Sequence, residues 1–333
     1  MHSFQDDLIA ASLFNPKLLN VPYAWCGHLP FAAWIMKAYE PNIFVELGTH
    51  SGNSYFSFCQ SVLQSDLTSQ CFAVDTWQGD EHAGNYDNQI YLQVHQNNQE
   101  NYSRFSNLMR MTFDEARDSF KNESIELLHI DGLHTYEAVK HDFETWLPKL
   151  KLGAIVLFHD TNVYQKDFGV WKYWKELQGK YPNNLEFIHS HGLGVLQIDG
   201  EAAGKDVSWL AANTSKKKQI LEYFTNLGSK QLEHCSLLEL QKQRQEDEKF
   251  FATQKVSLSE LNELAHERYL HIVALQSAVQ QLTEQAQANH HEHNDLHIRL
   301  NDLHQRLLDL YKSSSWQLTK PLRFASRTLR RIF

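Results

Sequence analysis

The 333-residue chain has only four cysteines, at 26, 59, 71 and 235, and no two of them form a CxxC pair. Their surroundings are mostly apolar. That fits a reduced, cytoplasmic protein better than a disulfide scaffold or a zinc site. Long apolar runs are also missing, so no segment is expected to span a bilayer. No secretory leader is expected either, because Asp6 and Asp7 follow Met1 closely. Basic residues are scarce except at one end. From Lys312 to Phe333 there are six Lys/Arg and no acid, so the formal charge of −9 leaves −15 on the remainder. A body this acidic is a poor candidate for binding nucleic acid. Glycine and proline are absent from residue 231 up to Pro321, where Gln, Glu, His and Leu dominate instead.

What is present begins with 42% hydrophobic residues, enough for one ordinary domain plus something extended. The organising stretch is Asn42-Ile-Phe-Val-Glu-Leu-Gly-Thr-His-Ser-Gly-Asn-Ser54. Ile43 to Leu47, bounded by Pro41 and Gly48, reads as a buried parallel strand. Gly48 and Gly52 allow a tight turn, and Ser51, Asn53 and Ser54 offer caps for a helix carrying Tyr55, Phe56, Phe58 and Cys59. In a doubly wound sheet such a unit lies beside the switch point, where ligands bind. The spacing Glu46-x-Gly48-x-x-x-Gly52 is not the G-x-G-x-x-G of a dinucleotide site. An acid before the turn suits a ligand with a cationic amino-acid end.

Residues 1–40 read as two helices, the second from Pro30 to Tyr39, with His28 a candidate for the pocket border. Gln70 to Asp75 reads as a second strand ending in an acid, 27 positions after Gly48. There an acid accepts both hydroxyls of a ribose. The polar loop from Thr76 to Tyr86 follows, with Trp77 placed to stack on adenine or wall an acceptor pocket. Residues 88–104 read as a helix and Leu108–Thr112 as a third strand. Asp114 then opens a helix, and either caps it or touches the adenine edge.

The second informative stretch is Ile125 to Tyr136, where an apolar strand delivers Asp131, a glycine turn and His134. Gly153 to Asp160 is another buried strand, ending in His159-Asp160. Adjacent strands put Asp131 and Asp160 at the edge that carries Glu46 and Asp75. Carboxylates gathered there are costly unless hydrogen-bonded, metal-bound or protonated. With His134 and His159 nearby, the group suggests a general base, a divalent-metal clamp, or both. Phe168 to Leu177 reads as an aromatic helix. Leu185–His189 and Leu193–Ile198 read as closing antiparallel strands, with His189-Ser-His191-Gly either bordering the pocket or, the preferred reading, a plain hairpin loop.

Val45-Glu-Leu-Gly, Ala73-Val-Asp-Thr-Trp-Gln-Gly-Asp, Leu128-His-Ile-Asp-Gly-Leu-His-Thr-Tyr and Leu157-Phe-His-Asp occur in the order seen in one family. Over about residues 25–200 the chain resembles class I S-adenosylmethionine-dependent methyltransferases, among them small-molecule and sugar O-methyltransferases of bacterial polysaccharide assembly. The resemblance implies an α/β fold: a doubly wound, mostly parallel, seven-stranded Rossmann-like sheet. It implies that Glu46, Gly48, Gly52, Asp75, Trp77 and Asp131 hold S-adenosylmethionine, with His134, Asp131 and Asp160 catalytic. Related sugar methyltransferases bind a divalent metal such as Mg through acids after the fourth and fifth strands. Those relatives often carry Asp-Asp where this chain has His159-Asp160, so Asp131, His159 and Asp160 are the metal set to test. His134 is the expected base, taking the proton of a sugar or glycan hydroxyl.

The expected organisation is a helical cover (1–40), the methyltransferase domain (41–200), a connector with one short helix near 219–227 (201–230), a coiled coil (231–312) and a basic amphipathic tail (313–333). Steps of four and three from Leu258 through Leu261, Ala265, Arg268 and onward to Leu310 give thirteen apolar positions in sixteen. That pattern predicts a left-handed coiled coil and self-association, with Asn289 and His293 as polar seam positions. In the tail, Leu322, Ala325, Leu329 and Ile332 share a stripe flanked by Arg323, Arg327, Arg330 and Arg331. With Trp316 nearby, this suits an anionic membrane surface, or else the protein's own acidic body. The Ser-x-Trp-x-Leu-Thr-x-Pro-Leu-Arg segment resembles one in bacterial envelope glycosyltransferases, which implies such enzymes as partners. Two readings follow: a peripheral O-methyltransferase, or an inactive methyltransferase-like scaffold that gathers envelope enzymes.

Overall fold

The computed structural model describes residues 4–80, 84–85, 87–165, 167–202, 204–211 and 214–329. Glu81, His82, Ala83 and Tyr86 of the polar loop, and Arg330, Arg331 and Ile332 of the tail, lie outside the described residues. The chain forms two compact units, Met1–Gln243 and Arg244–Phe333.

The first unit opens with α1 (Phe4–Ser12) and α2 (Leu29–Tyr39), then β1 (Ile43–Leu47), α3 (Asn53–Gln64) and β2 (Gln70–Asp75). Two short strands, β3 (Gly79–Asp80) and β4 (Gly84–Asn85), precede α4 (Asn88–Asn101) and β5 (Ser106–Arg110). Next come α5 (Phe113–Arg117), β6 (Ile125–Ile130), α6 (Tyr136–Trp146) and β7 (Leu150–His159). The unit closes with α7 (Val170–Lys180), β8 (Asn184–Phe187), β9 (Leu193–Gln197) and the start of α8 (Ser215–Lys312). The main sheet has seven strands in the order β5-β2-β1-β6-β7-β9-β8. The first five are parallel, and β9 runs antiparallel to both β7 and β8. This is the expected doubly wound sheet. Its order reverses between β1 and β6, which places the crevice at their carboxyl ends.

Strands buried on both faces need apolar or fully paired residues, and β6 and most of β7 are buried along their length, with Glu126 and His129 of β6 each held by a charged or polar partner. One core packs α1, α2, α3 and the start of α8 against the sheet through Phe31, Trp34, Phe58, Phe187 and Phe224. The other packs α6 and α7 through Phe143, Trp146 and Trp174. The third strand, expected at 108–112, forms two residues earlier, because Thr112 leaves the sheet to build a capping box with Glu115 at the head of α5.

The short helix expected near 219–227 is instead the beginning of a 98-residue helix that runs through Gly228 without a break. Gly228 is there for a close approach. A Cβ would stand 2.3 Å from the Gly27 carbonyl and 2.4 Å from His189 Nε2. Ile220, Phe224, Gly228 and Cys235 form the buried stripe of α8 in the first unit. All four cysteines are free and buried.

In the second unit the seam residues of α8 face solvent, including Leu258, Leu275, Leu282, Leu300 and Leu310. After Lys312 come α9 (Ser314–Leu318), capped by the Ser313 side chain, and α10 (Lys320–Leu329). Among the described residues no helix is long and apolar enough to cross a membrane.

Candidate active site

The turn after β1 is built around Gly48, with φ at +88°. A Cβ there would lie 2.0 Å from the Asp131 carbonyl, so only glycine lets the ends of β1 and β6 meet this closely. Gly52, with φ at +84°, forms the N-cap of α3, and none of the expected Ser51, Asn53 or Ser54 side chains caps the helix. Asn53 is turned to other work. It donates to the carbonyls of Asn20 and Pro22 and accepts from the Asn20 amide, pinning that segment beside the helix start.

Two cavities meet over this turn. The smaller, about 220 Å³, is lined by Asp75, Thr76, Thr112, Phe113 and Leu133. The larger, about 420 Å³, is lined by Trp25, Ser51, His134, Asp160, Phe168 and His191. Gly48, His50, Asp131 and Gly132 line both. A small molecule spanning the two would lie across the switch point, over the Gly48 turn.

Asp75 stands at the end of β2 as expected. One carboxylate oxygen accepts from the amides of Thr49 and His50, each at 2.9 Å, and the other from Trp77 at 2.7 Å. A carboxylate has about four acceptor positions, so capacity for hydroxyl donors remains. Trp77, expected to stack on a ligand, is buried with its indole N–H on the His50 carbonyl and its ring against Tyr91. It supports the turn from beneath. Glu46 is fully buried behind the cavities, 2.8 Å from His129 Nδ1. His129 Nε2 must be unprotonated, because it accepts the Trp25 indole N–H at 3.1 Å. Burial raises the Glu46 carboxyl above its usual range, against the opposing pull of His129 and Ser54. Glu46, Gly52 and Trp77 thus shape the site without lining either cavity. Asp114 pairs with His141 at the surface and lines neither cavity, whereas the neighbouring Thr112 and Phe113 line the smaller one.

Asp131, His134, His159 and Asp160 do converge. His134 Nε2 lies 2.9 Å from Asp160 Oδ2 and 3.8 Å from Asp131 Oδ1. His159 Nδ1 lies 3.2 Å from each of the same two oxygens. Burial opposes charge here but loses. Despite it, His134 is raised to about 9 by its bonds to Asp131 and Asp160, and His159 rises well above the ordinary imidazole value. Burial would raise Asp131 and Asp160 too, yet the imidazoles hold both below the usual carboxylate range.

Asp131, His134 and Asp160 each offer a ligand atom, all within 4.8 Å of one another. Two carboxylates and an imidazole are a donor set that fits a divalent cation. His159, expected in that set, stands outside it. Its Nε2 faces the Ser190 carbonyl at 3.1 Å while its Nδ1 faces the two carboxylates. Carbonyl and carboxylate oxygens only accept, so both ring nitrogens carry protons and neither has a lone pair for a metal.

The loop from His189 to Gly192, for which a plain hairpin is the preferred sequence reading over a pocket border, brings His191 into the lining of the larger cavity. Ser190, His191 and Gly192 all have positive φ, a strained run that throws His191 Nδ1 to 3.2 Å from Asp160 Oδ1. The Ser190 carbonyl accepts from both His159 and His28, and its hydroxyl accepts from the Gly27 amide and donates to the Ala24 carbonyl. His28, expected at the pocket border, lies one layer deeper, nearly fully buried. A hairpin loop gives no periodic signal, and only the positions of histidines hinted at the site.

Residues 45–161 match the family model described as a methyltransferase domain. The chain is 47% identical over 224 residues to an uncharacterized protein, y4gI, of Sinorhizobium fredii. That match covers 66% of this chain and spans 24% of the relative's length. An O-methyltransferase of Bacillus cereus, solved with SAH, is 14% identical, with a TM-score of 0.39 over 58% of this chain and 87% of that one. The O-methyltransferase TomG of Streptomyces achromogenes, solved with SAM, is 10% identical, with a TM-score of 0.40 over 59% and 90%.

Proposed function

We propose that this chain, whose residues 45–161 match the methyltransferase-domain model, moves a methyl group from S-adenosylmethionine to a hydroxyl oxygen of a sugar-like acceptor. The observation that carries the reading is the pair of cavities joined over Gly48 and Asp131, with the acid and imidazole cluster on the larger side. The smaller cavity takes the nucleoside, with Asp75 accepting from ribose hydroxyls and Phe113 and Leu133 against the base. The methionine end lies over the Gly48 turn, where the first turn of α3 favours its carboxylate. Trp25 and Phe168 give the larger cavity aromatic faces, and Asp131 and Asp160 give it acceptors, a lining suited to a ring bearing several hydroxyls.

A sugar hydroxyl is a poor nucleophile until it loses its proton. In this reading His134, in its unprotonated form, takes that proton on Nε2 while Asp160 and Asp131 orient the ring. S-Adenosylmethionine supplies an electrophilic methyl, and the sulfur keeps the bonding pair as the carbon–oxygen bond forms. Asp131, His134 and Asp160 are also the residues that would hold a divalent cation, which would lower the hydroxyl pKa. The remaining contribution is alignment of oxygen, methyl and sulfur by the rigid switch-point walls.

Calorimetry with S-adenosylmethionine tests the reading. Binding by the wild type and its loss on Gly48→Val is the expected result. Labelled cofactor with a panel of cell-envelope sugars then tests the acceptor. No binding at all would favour the scaffold reading. Self-association through the exposed seam of α8 belongs to the same proposal, with envelope glycosyltransferases as candidate partners.

A further inference from the structure

At the end of the second unit, α8, α9 and α10 fold back into a small hook around a cavity of about 900 Å³, lined by Tyr311, Trp316, Lys320, Arg323 and Arg327. The Arg323 guanidinium lies 3.5 Å over the Trp316 ring, donates to Thr319 Oγ1, and reaches the Trp316 carbonyl. Tyr311 packs edge-on against the same indole at 5.1 Å. Lys320, Arg323 and Arg327, spaced by three and four, fall on one stripe of α10. Leu322, on the face of α10 away from that stripe, and Leu318 of α9 are 71% and 78% exposed, although water is a poor environment for both. No acid occurs from Lys312 to Phe333.

We propose that the hook from Tyr311 to Arg327 docks on an anionic phospholipid bilayer. The cations meet headgroup phosphates, Trp316 and Tyr311 sit at the headgroup level, and Leu318 and Leu322 enter the acyl boundary. An acidic protein would satisfy the charges but would leave two large leucines in water, so the combination favours a bilayer. Methyl transfer plays no part in this inference, and either can fail without the other.

Flotation of the full-length protein with vesicles of phosphatidylcholine alone, and with 30% phosphatidylglycerol, tests it. At 0.1 M NaCl the anionic vesicles should carry at least tenfold more protein than the neutral ones, and 0.5 M NaCl should abolish the difference. The double reversal Lys320→Glu with Arg327→Glu should lower flotation at least tenfold. Leu318→Ser with Leu322→Ser should do the same with every charge of the segment intact. Unchanged helicity and unchanged light-scattering mass show that each variant is folded. Failure of the wild type to float, equal flotation with neutral vesicles, or wild-type flotation of either double variant overturns the proposal. Release by 10 mM inorganic phosphate at constant ionic strength overturns it too, because it would assign the hook to a free anion. Retention on immobilised polyglutamate without vesicle binding would assign it to an acidic protein.

Discussion

Asp160 receives three imidazoles, His134 and His159 on one oxygen and His191 on the other, and this crowding sets the pH behaviour of the proposed reaction. With His134 raised to about 9, its proton stays on at neutral pH and the base form is a minor one. A rate that depends on that form should climb about tenfold per pH unit below 9 and level off above it. Steady-state rates in EDTA between pH 6 and 10 check this, and His134→Gln should remove the slope while cofactor binding persists. A second titration concerns stability. Asp142 on α6, beside Gly132, is 6% exposed, and burial raises its carboxyl to about 7. Between its ordinary 3.8 and 7 the folded state holds a proton that the unfolded chain lacks. Stability from this group is therefore present at low pH and lost as pH rises through that window. Asp142→Asn should be more stable than wild type by roughly 2–4 kcal/mol at pH 8, with the gain shrinking towards pH 4, in urea denaturation.

Elements fix where those residues stand, and the amino-end edge of the sheet supplies a second ionic anchor. Glu126 on β6 accepts from Lys151 at 2.6 Å, from Lys205 at 3.0 Å and from the Asn42 side chain. Burial would raise its carboxyl, but these partners hold it down to about 2. Its contribution is present above 4.5 and lost as pH falls towards 2. Glu126→Ala should cost about 2 kcal/mol at pH 7, read by denaturant midpoint, since Glu126 is buried while the Lys151 and Lys205 side chains are 44% and 18% exposed. Strand ends of this kind were legible in advance. An apolar run closing on an acid or glycine marks the carboxyl edge, and Gly48, Asp75, Asp131 and Asp160 were found that way. The burial of Glu46 against His129 was not legible, because that partner lies 83 residues away on a neighbouring strand, and adjacency across a sheet leaves no local trace. The start of α8 was misjudged through Gly228, where glycine reads as a helix end and in fact permits contact with Gly27 and His189. Gly228→Ala should therefore displace the turn at Gly27 and the His189–Gly192 loop, lowering stability by about 2 kcal/mol and weakening acceptor turnover more than cofactor binding.

At the scale of the whole molecule, the second unit bears a seam that water should not tolerate. Leu275, Val279, Leu282, Leu296, Leu300 and Leu303 are each more than half exposed on α8. Burial of each against a partner helix would contribute about 2 kcal/mol, so a second copy on this seam is the expected state. The polar positions Asn289 and His293 bear on orientation. An antiparallel pair that mates them with each other, centred on residue 291, covers only 272–310 and strands Leu258 and Leu261. A parallel, in-register pair covers the seam from Leu258 to Leu310 and places each polar residue opposite its own copy. The full chain should therefore run as a dimer in light scattering, and Leu275→Asp with Leu282→Asp should shift it to monomer. Leu282→Cys should form a disulfide between copies under mild oxidation, because the four native cysteines are buried and a parallel register puts 282 against 282. In the antiparallel register position 282 meets Leu300, and the same variant would stay uncrosslinked unless Leu300→Cys were supplied on the other copy.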